Sequence, residues 1–136
     1  MIASADLDGD KEEATGRSLR VVVIDDEPVI AHTLGMILRE KGYDTVSYTN
    51  PLTALKMVPD YQPHIVVTDV TMPQLSGIEL AMRLNKLCPE CRFLLFSGSA
   101  QPSDLLDASQ RGYNFRLLRK PAHPIELLRE LRALHA

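Results

Sequence analysis

Tryptophan is absent from this chain, and aromatic residues make up only 5% of it. Three Phe and four Tyr cannot fill the interior of a 136-residue protein, so the core must be mostly aliphatic. Cysteine occurs twice, too few for a disulfide framework, which leaves a reducing, cytoplasmic compartment as the expectation. No apolar run approaches the ~20 residues needed to cross a bilayer. The opening Met1-Ile2-Ala3-Ser4-Ala5-Asp6 lacks the basic flank and apolar segment of a secretory signal. Charge of one sign is also scarce: the net charge of −3 and the pI near 5.8 carry no basic signal for nucleic acid. No internal repeat or low-complexity segment is found. What remains is 45% hydrophobic and 24% charged, the balance of a globular domain with a single core. A two-domain enzyme, a rod and a mainly disordered chain are excluded.

The charges are unevenly placed. Residues 1–17 carry Asp6, Asp8, Asp10, Glu12 and Glu13 against Lys11 and Arg17, which accounts for the whole −3. This segment is polar and has no apolar periodicity, so it reads as a disordered acidic tail ahead of a domain spanning residues 18–136. After Arg20 the pattern changes. Val21-Val22-Val23-Ile24 runs into Asp25-Asp26, Ile65-Val66-Val67 ends at Asp69, and Phe93-Leu94-Leu95-Phe96 ends at Ser97. Phe115-Arg116-Leu117-Leu118 precedes Lys120-Pro121, and Thr45-Val46-Ser47-Tyr48 is a weaker run. Short, non-alternating apolar runs suit strands covered on both faces, as in a parallel sheet.

Helical signals lie between the runs. Val29 to Lys41 carries Ile30, Leu34, Ile37 and Leu38 at helical spacing, with Pro28 at its start and Gly42 as its stop. Asn50-Pro51 opens a second helix with Leu55 and Val58 on one face. Ser76 and Glu79 have capping-box spacing ahead of Leu80, Leu84 and Leu87. A short fourth helix spans about Ser103 to Gln110 before Gly112, and a fifth begins near Pro124 with Leu127, Leu131 and Leu134. Five β-α units in sequence predict a doubly wound α/β fold with right-handed crossovers.

In such a sheet, ligands bind beyond the carboxyl ends of the strands. The residues there are Asp25 and Asp26, Asp69, Ser97 and Lys120. Each alone has a plain reading: Asp26 is a good helix cap, and Lys120 is an ordinary surface charge. Together they are harder to explain away. Three carboxylates repel one another and take up protons unless a cation offsets them. Lys120 supplies one charge, and oxygen donors of this kind suit Mg²⁺ or Mn²⁺ rather than Zn²⁺.

These residues, in this order and spacing, resemble the response-regulator receiver domain of two-component signalling. The resemblance is carried by Val21-Val22-Val23-Ile24-Asp25-Asp26-Glu27-Pro28, Asp69-Val70-Thr71-Met72-Pro73-Gln74-Leu75-Ser76-Gly77, Phe96-Ser97-Gly98 and Lys120-Pro121, and covers about residues 19–136. It implies a flavodoxin-like (βα)5 three-layer sandwich with a five-stranded parallel sheet in the order 2-1-3-4-5. It implies that Asp69 accepts a phosphoryl group from a histidine kinase or phosphotransfer protein. Asp25, Asp26, Asp69 and the Thr71 carbonyl would hold Mg²⁺ or Mn²⁺. Ser97 would be the switch hydroxyl, Lys120 the lysine that pairs with aspartate and then phosphate, and Lys120-Pro121 a cis peptide. Such a domain is a switch whose only catalysis is its own phosphoryl transfer and autodephosphorylation. Its output passes to a protein partner or a second copy through the fourth helix, fifth strand and fifth helix, where Arg111, Arg116, Arg119, Arg129 and Arg132 lie. Direct binding to nucleic acid or membrane is not expected.

The chain departs from the family pattern at Leu117, where an aromatic switch residue usually stands three positions before the lysine. Phe115 is the nearest aromatic, and strand alternation puts it on the same face as Leu117. Gly77 reads as a turn or helix-start glycine, and Gly98 as room for a phosphoryl group. Cys88-Pro89-Glu90-Cys91 ends a helix rather than opening one, so it reads as a surface turn and not a redox motif. Asp6-Leu7-Asp8-Gly9-Asp10 lacks the glycine and glutamate of a calcium loop. His32, His64, His123 and His135 are scattered, with surface or packing roles. Two rival functions are a phosphorylation-independent interaction module and a small aspartyl-phosphate phosphatase. The second normally needs an acid two residues after the nucleophile, where Thr71 stands.

Overall fold

The computed structural model describes residues 19–98 and 103–135; the acidic segment expected over residues 1–17 lies outside them. Strands and helices alternate: β1 (Arg20–Ile24), α1 (Pro28–Glu40), β2 (Asp44–Tyr48), α2 (Pro51–Tyr61), β3 (Ile65–Asp69), α3 (Gly77–Leu87), β4 (Arg92–Ser97), α4 (Ser103–Gln110), β5 (Arg116–Arg119) and α5 (Pro124–His135). The strands form one parallel sheet in the order β2-β1-β3-β4-β5, as the resemblance to receiver domains implies. No helix among the described residues is long and apolar enough to cross a membrane.

Strand alternation divides the core between two faces. Val22, Ile24, Val66, Phe93 and Leu95 point toward α2, α3 and α4, where they meet Ala54, Val58, Ile78, Leu80, Leu84 and Ala108. Val21, Val23, Ile65, Val67, Leu94 and Phe96 point the other way, toward Leu38 of α1 and Leu127 and Leu131 of α5. Both faces of the central strands are covered, which is why their apolar runs do not alternate with polar residues.

Local chemistry sets the helix ends. Pro28 and Pro51 occupy first-turn positions, where a missing N–H costs little. The Asn50 side chain accepts from the backbone N–H of Leu52 and Thr53. Ser76 Oγ accepts from Glu79 N–H at 3.1 Å, so half of the capping box forms, while the Glu79 carboxylate pairs with Arg83 instead. Gly42 and Gly112 stop their helices with φ of 96° and 95°.

Several expectations need correction. Asp26 does not cap α1: the cap position is Glu27, without a side-chain bond. The buried stripe of α1 is Ala31, Gly35 and Leu38 rather than Ile30 and Ile37, because Gly35 lets the helix close onto Ser47 of β2. Leu87, expected on the apolar face of α3, is 59% exposed at the last position of the helix, and Cys88 packs inward instead. Phe115 lies just before β5 rather than within it.

Candidate phosphoryl-acceptor and metal site

The sheet order brings the carboxyl ends of β1, β3, β4 and β5 side by side. β1 ends at Ile24, and the chain leaves it through Asp25, whose N–H bonds to Tyr48 O on β2. Asp69 is the last residue of β3 and lies in register with Phe96, so Ser97 follows one position later at the end of β4. Lys120 follows β5, its backbone N–H bonded to Ser97 O at 2.8 Å. The Lys120-Pro121 peptide is cis.

Asp25, Asp26 and Asp69 each direct one carboxylate oxygen into a space where the three lie within 4.8 Å of one another. Asp25 is 1% exposed, Asp69 7% and Ser97 1%, whereas Asp26 is half-buried. Lys120 Nζ bridges the cluster, 3.3 Å from Asp69 Oδ1 and 3.5 Å from Asp25 Oδ2. The other oxygen of Asp25 accepts from Glu27 N–H at 2.9 Å, which orients that carboxylate at the turn into α1.

Burial pushes the Asp69 carboxyl above its ordinary value, the Lys120 ammonium pulls it back, and Asp25 pushes it up again. The Thr71 backbone N–H also bonds the Asp69 carboxylate and favours its charged form. Burial acts to lower the Lys120 ammonium, but Asp25 and Asp69 together hold it above its ordinary value. One ammonium against three carboxylates leaves two negative charges uncompensated, the charge of one divalent cation. The donors are hard oxygens on a partly open face, which fits a small hard cation that keeps some of its waters. The cluster therefore fits Mg²⁺ or Mn²⁺, and Asp25, Asp26 and Asp69 are the residues that could hold it.

Gly77 does more than turn the chain. A Cβ there would stand 1.9 Å from Asp69 O and 2.8 Å from Asp69 C, because the start of α3 packs directly on the backbone of Asp69. Gly77 N–H bonds Val70 O at 2.8 Å and holds that approach. At Gly98 a Cβ would meet nothing within 4 Å among the described residues.

The two expected switch residues separate along the strand. Both pack on the α2–α4 face, as alternation requires. Phe115 stacks on Tyr113 and meets Phe93 edge-on at 5.3 Å, at the amino end of β4. Phe93 precedes Ser97 by four residues, about 13 Å along a strand. Leu117 lies in register with Leu95, two residues from the level of Ser97.

Among the five arginines expected on one docking face, Arg111 pairs with Asp107 and Arg116 with Glu130. Arg119 and Arg129 are exposed and make no ion pair among the described residues. The thiols of Cys88 and Cys91 are free, Cys88 is raised by burial, and Cys91 is pushed up to about 12 by burial and by Cys88. Neither is a ready thiolate. A depression of about 670 Å³ at the opposite, amino end of the strands, between Leu19, His64, Cys88, Arg92 and His135, is lined by none of Asp25, Asp26 and Asp69.

Two features were not read from the sequence. His123 caps α5: its Nδ1 accepts from Ile125 N–H at 3.1 Å, and its own N–H donates to Glu126 Oε1 at 2.9 Å. The His-x-x-Glu spacing before an apolar run is the available signal. Thr68 is fully buried, and its hydroxyl donates to Asp69 O at 3.1 Å. Its signal is a hydroxyl at the end of the apolar run Ile65-Val66-Val67.

A family model, the response regulator receiver domain, matches residues 21–132. The chain is 30% identical over 121 residues to the probable transcriptional regulatory protein TcrX of Mycobacterium tuberculosis, covering 89% of this chain and 51% of that protein. It is 26% identical over 113 residues to the chemotaxis protein CheY of Thermotoga maritima, covering 82% of this chain and 93% of that one. It thus spans about half the length of the first relative and nearly all of the second. Among solved structures, Vibrio cholerae CheY4 superposes with a TM-score of 0.77 at 22% identity, over 87% of this chain and 99% of that one. A CheY-like receiver domain protein from Methanospirillum hungatei JF-1 gives 0.80 at 22% identity, over 88% and 95%. These two structural likenesses concern the fold.

Proposed function

The chain belongs to the response regulator receiver domain family, and from that premise we propose that it is a phosphorylation-driven switch in which Asp69 accepts a phosphoryl group from a phosphohistidine on a histidine kinase or phosphotransfer protein. The observation that carries this reading is the buried meeting of Asp25, Asp26 and Asp69 with Lys120 bridging two of them. A divalent cation held by Asp25, Asp26, Asp69 and the Thr71 carbonyl would offset charge on the transferring oxygens.

In this reading an Asp69 carboxylate oxygen attacks phosphorus in line, the P–N bond of the donor breaks, and its electron pair returns to the imidazole. Transfer of this kind asks for placement and charge neutralisation more than covalent chemistry. Lys120 holds the Asp69 oxygen before transfer and then pairs with a phosphoryl oxygen. Ser97, buried at the end of β4, donates its hydroxyl to another. That movement opens space beside β5, and Leu117, closer than Phe115 to the level of Ser97, repacks. Water attack on the acyl phosphate resets the switch. Exposed Val29 on α1 and Ile125 on α5 flank this end of the sheet as apolar contacts for the donor. The chain is a signalling module and not a classical enzyme, and we place its work in the cytoplasm. We assign the α4–β5–α5 face, where exposed Arg119 and Arg129 make no ion pair among the described residues, to the downstream partner or a second copy. We read residues 1–17 as a tail outside the domain.

Incubation with acetyl phosphate and Mg²⁺, followed by intact mass, tests the reading. One added phosphoryl mass is expected on wild type and none on Asp69→Ala. No added mass on either would favour a phosphorylation-independent interaction module. Arg119→Glu with Arg129→Glu should weaken partner binding without unfolding the domain; unchanged affinity for every partner would remove that face from the proposal.

A further inference from the structure

We infer that Thr68 is a positioning residue for Asp69, acting through the peptide that joins Asp69 to Val70. This rests on the reading of Asp69 as the phosphoryl acceptor.

Thr68 is out of place by packing alone. In the sheet it lies between Ile24 and Leu95, both members of the aliphatic layer that faces α2, α3 and α4. It is fully buried. Valine has nearly the same shape and would fill this layer without bringing in a polar group. A buried hydroxyl among aliphatic side chains is costly unless it is bonded. Here it is bonded, to the carbonyl of the next residue, at 3.1 Å.

That carbonyl belongs to a peptide held at both ends. The oxygen, Asp69 O, accepts from Thr68 Oγ1. The N–H, on Val70, donates to Phe96 O at 2.8 Å. Gly77 packs against the same carbonyl, with no space for even a methyl group. The chain leaves β3 at this point, so the peptide is no longer held by a continuous ladder on each side. Its carbonyl carbon is bonded to Asp69 Cα and forms part of the tetrahedral frame from which Cβ leaves the backbone; the side-chain rotamer then decides where the carboxylate oxygens point. Oδ1 now lies 3.3 Å from Lys120 Nζ, and one oxygen of Asp69 stands within 4.8 Å of one from each of the other two aspartates. Without the Thr68 hydroxyl the peptide, its carbonyl carbon included, can shift, and Cβ and the carboxylate shift with it. A shift near 1 Å at a reacting centre costs up to about 10²-fold in rate. Tilting of one peptide end, with the other still held, should cost about tenfold.

Two substitutions separate positioning from packing. Thr68→Val keeps the shape and removes the donor. Thr68→Ser keeps the donor and removes the methyl group. Each folded variant is compared with wild type in two measurements: the rate of phosphoryl uptake from acetyl phosphate with Mg²⁺, and Mn²⁺ affinity of the unphosphorylated protein by electron paramagnetic resonance. Positioning predicts that Thr68→Val slows uptake about tenfold and weakens Mn²⁺ binding several-fold, with Thr68→Ser within about twofold of wild type in both. If Thr68→Ser is impaired and Thr68→Val is not, packing is the role and the inference is overturned. Equal values for Thr68→Val and wild type overturn it as well, and leave the acceptor reading standing. A wild-type protein that neither binds Mn²⁺ nor takes up phosphoryl overturns both.

Discussion

Gly77→Ala tests whether the start of α3 is built against the backbone of Asp69. An alanine at an unstrained helical position would ordinarily stabilise, by about 0.4–1 kcal/mol, because it restricts the unfolded chain. Here φ is not in the left-handed region, so backbone conformation raises no objection. Space does. The new Cβ would lie 1.9 Å from Asp69 O, 2.8 Å from Asp69 C and 3.0 Å from Val70 Cα. All three neighbours are backbone, so no side chain can swing aside. The two segments must part by about 1 Å to reach tolerable contact. That strains the Gly77 N–H to Val70 O bond and the Val70 N–H to Phe96 O bond, each 2.8 Å. Overpacking of this kind costs about 1–3 kcal/mol, and a weakened hydrogen bond about 1 more. With the gain of about 0.4–1 kcal/mol deducted, the net expectation is destabilisation by about 1–3.5 kcal/mol. For a domain of this size that lowers Tm by roughly 4–14 °C. Urea melts read the stability, and acetyl phosphate uptake at a temperature where the variant is folded reads the site. Gly98→Ala is the stability control: its Cβ meets nothing within 4 Å among the described residues, and it should stay within about 0.5 kcal/mol of wild type. A Gly77→Ala protein with a wild-type urea midpoint would refute the argument, since the sign depends on that close approach alone.

Other outcomes follow from the same geometry. Asp69 binds its proton more tightly folded than unfolded, chiefly through burial, so its charge works against folding once pH rises through its folded value. Asp69→Asn should therefore raise the urea midpoint at neutral pH in metal-free buffer, and the gain should shrink as pH falls into the ordinary carboxylate range; a gain that is constant with pH would contradict this cause. His123→Ala removes the acceptor for Ile125 N–H and should cost about 1 kcal/mol, while His123→Asp, a good cap, should recover most of it. Equal losses for the two variants in thermal melts would show that the cap is not what His123 provides. Cys91, buried and pushed up to about 12, should resist iodoacetamide in the native protein and react in urea, and labelling of Cys88 should leave phosphoryl uptake unchanged. Rapid native alkylation of Cys91, followed by mass spectrometry, would count against its burial.

What could be read from the sequence was local. Apolar runs of strand length ending in Asp25, Asp69, Ser97 and Lys120 marked which residues stand at strand ends. Asn50, Ser76, Pro28 and Pro51 marked where helices begin, because capping and proline chemistry act over three or four residues. The turn position of Cys88 and Cys91 was equally local. Asp26 was ambiguous because one residue type serves both as a cap and as a ligand. Only the placement of Glu27 at the cap position, with Asp26 directed toward Asp25 and Asp69, separates the two.

The remainder depends on which strands lie side by side. Lys120 meets Asp25 across 95 positions of chain, and no pattern of composition or periodicity specifies a distance of 3.5 Å between them. Crossover handedness and strand register decide it. The same holds for the burial of Asp69, which raises its carboxyl, and for Leu87, which periodicity places inside and the end of α3 leaves outside. It holds most clearly for Gly77 and Thr68. Their residue types suit many local roles, and only the packing of α3 on the end of β3 turns them into the walls around one carbonyl. By itself the sequence determined which groups are present, and at which strand ends, because hydrophobic period and turn chemistry are short-range. The tertiary structure decided how closely those groups approach, how dry they become and which way they point, because those properties belong to neighbours that are remote along the chain.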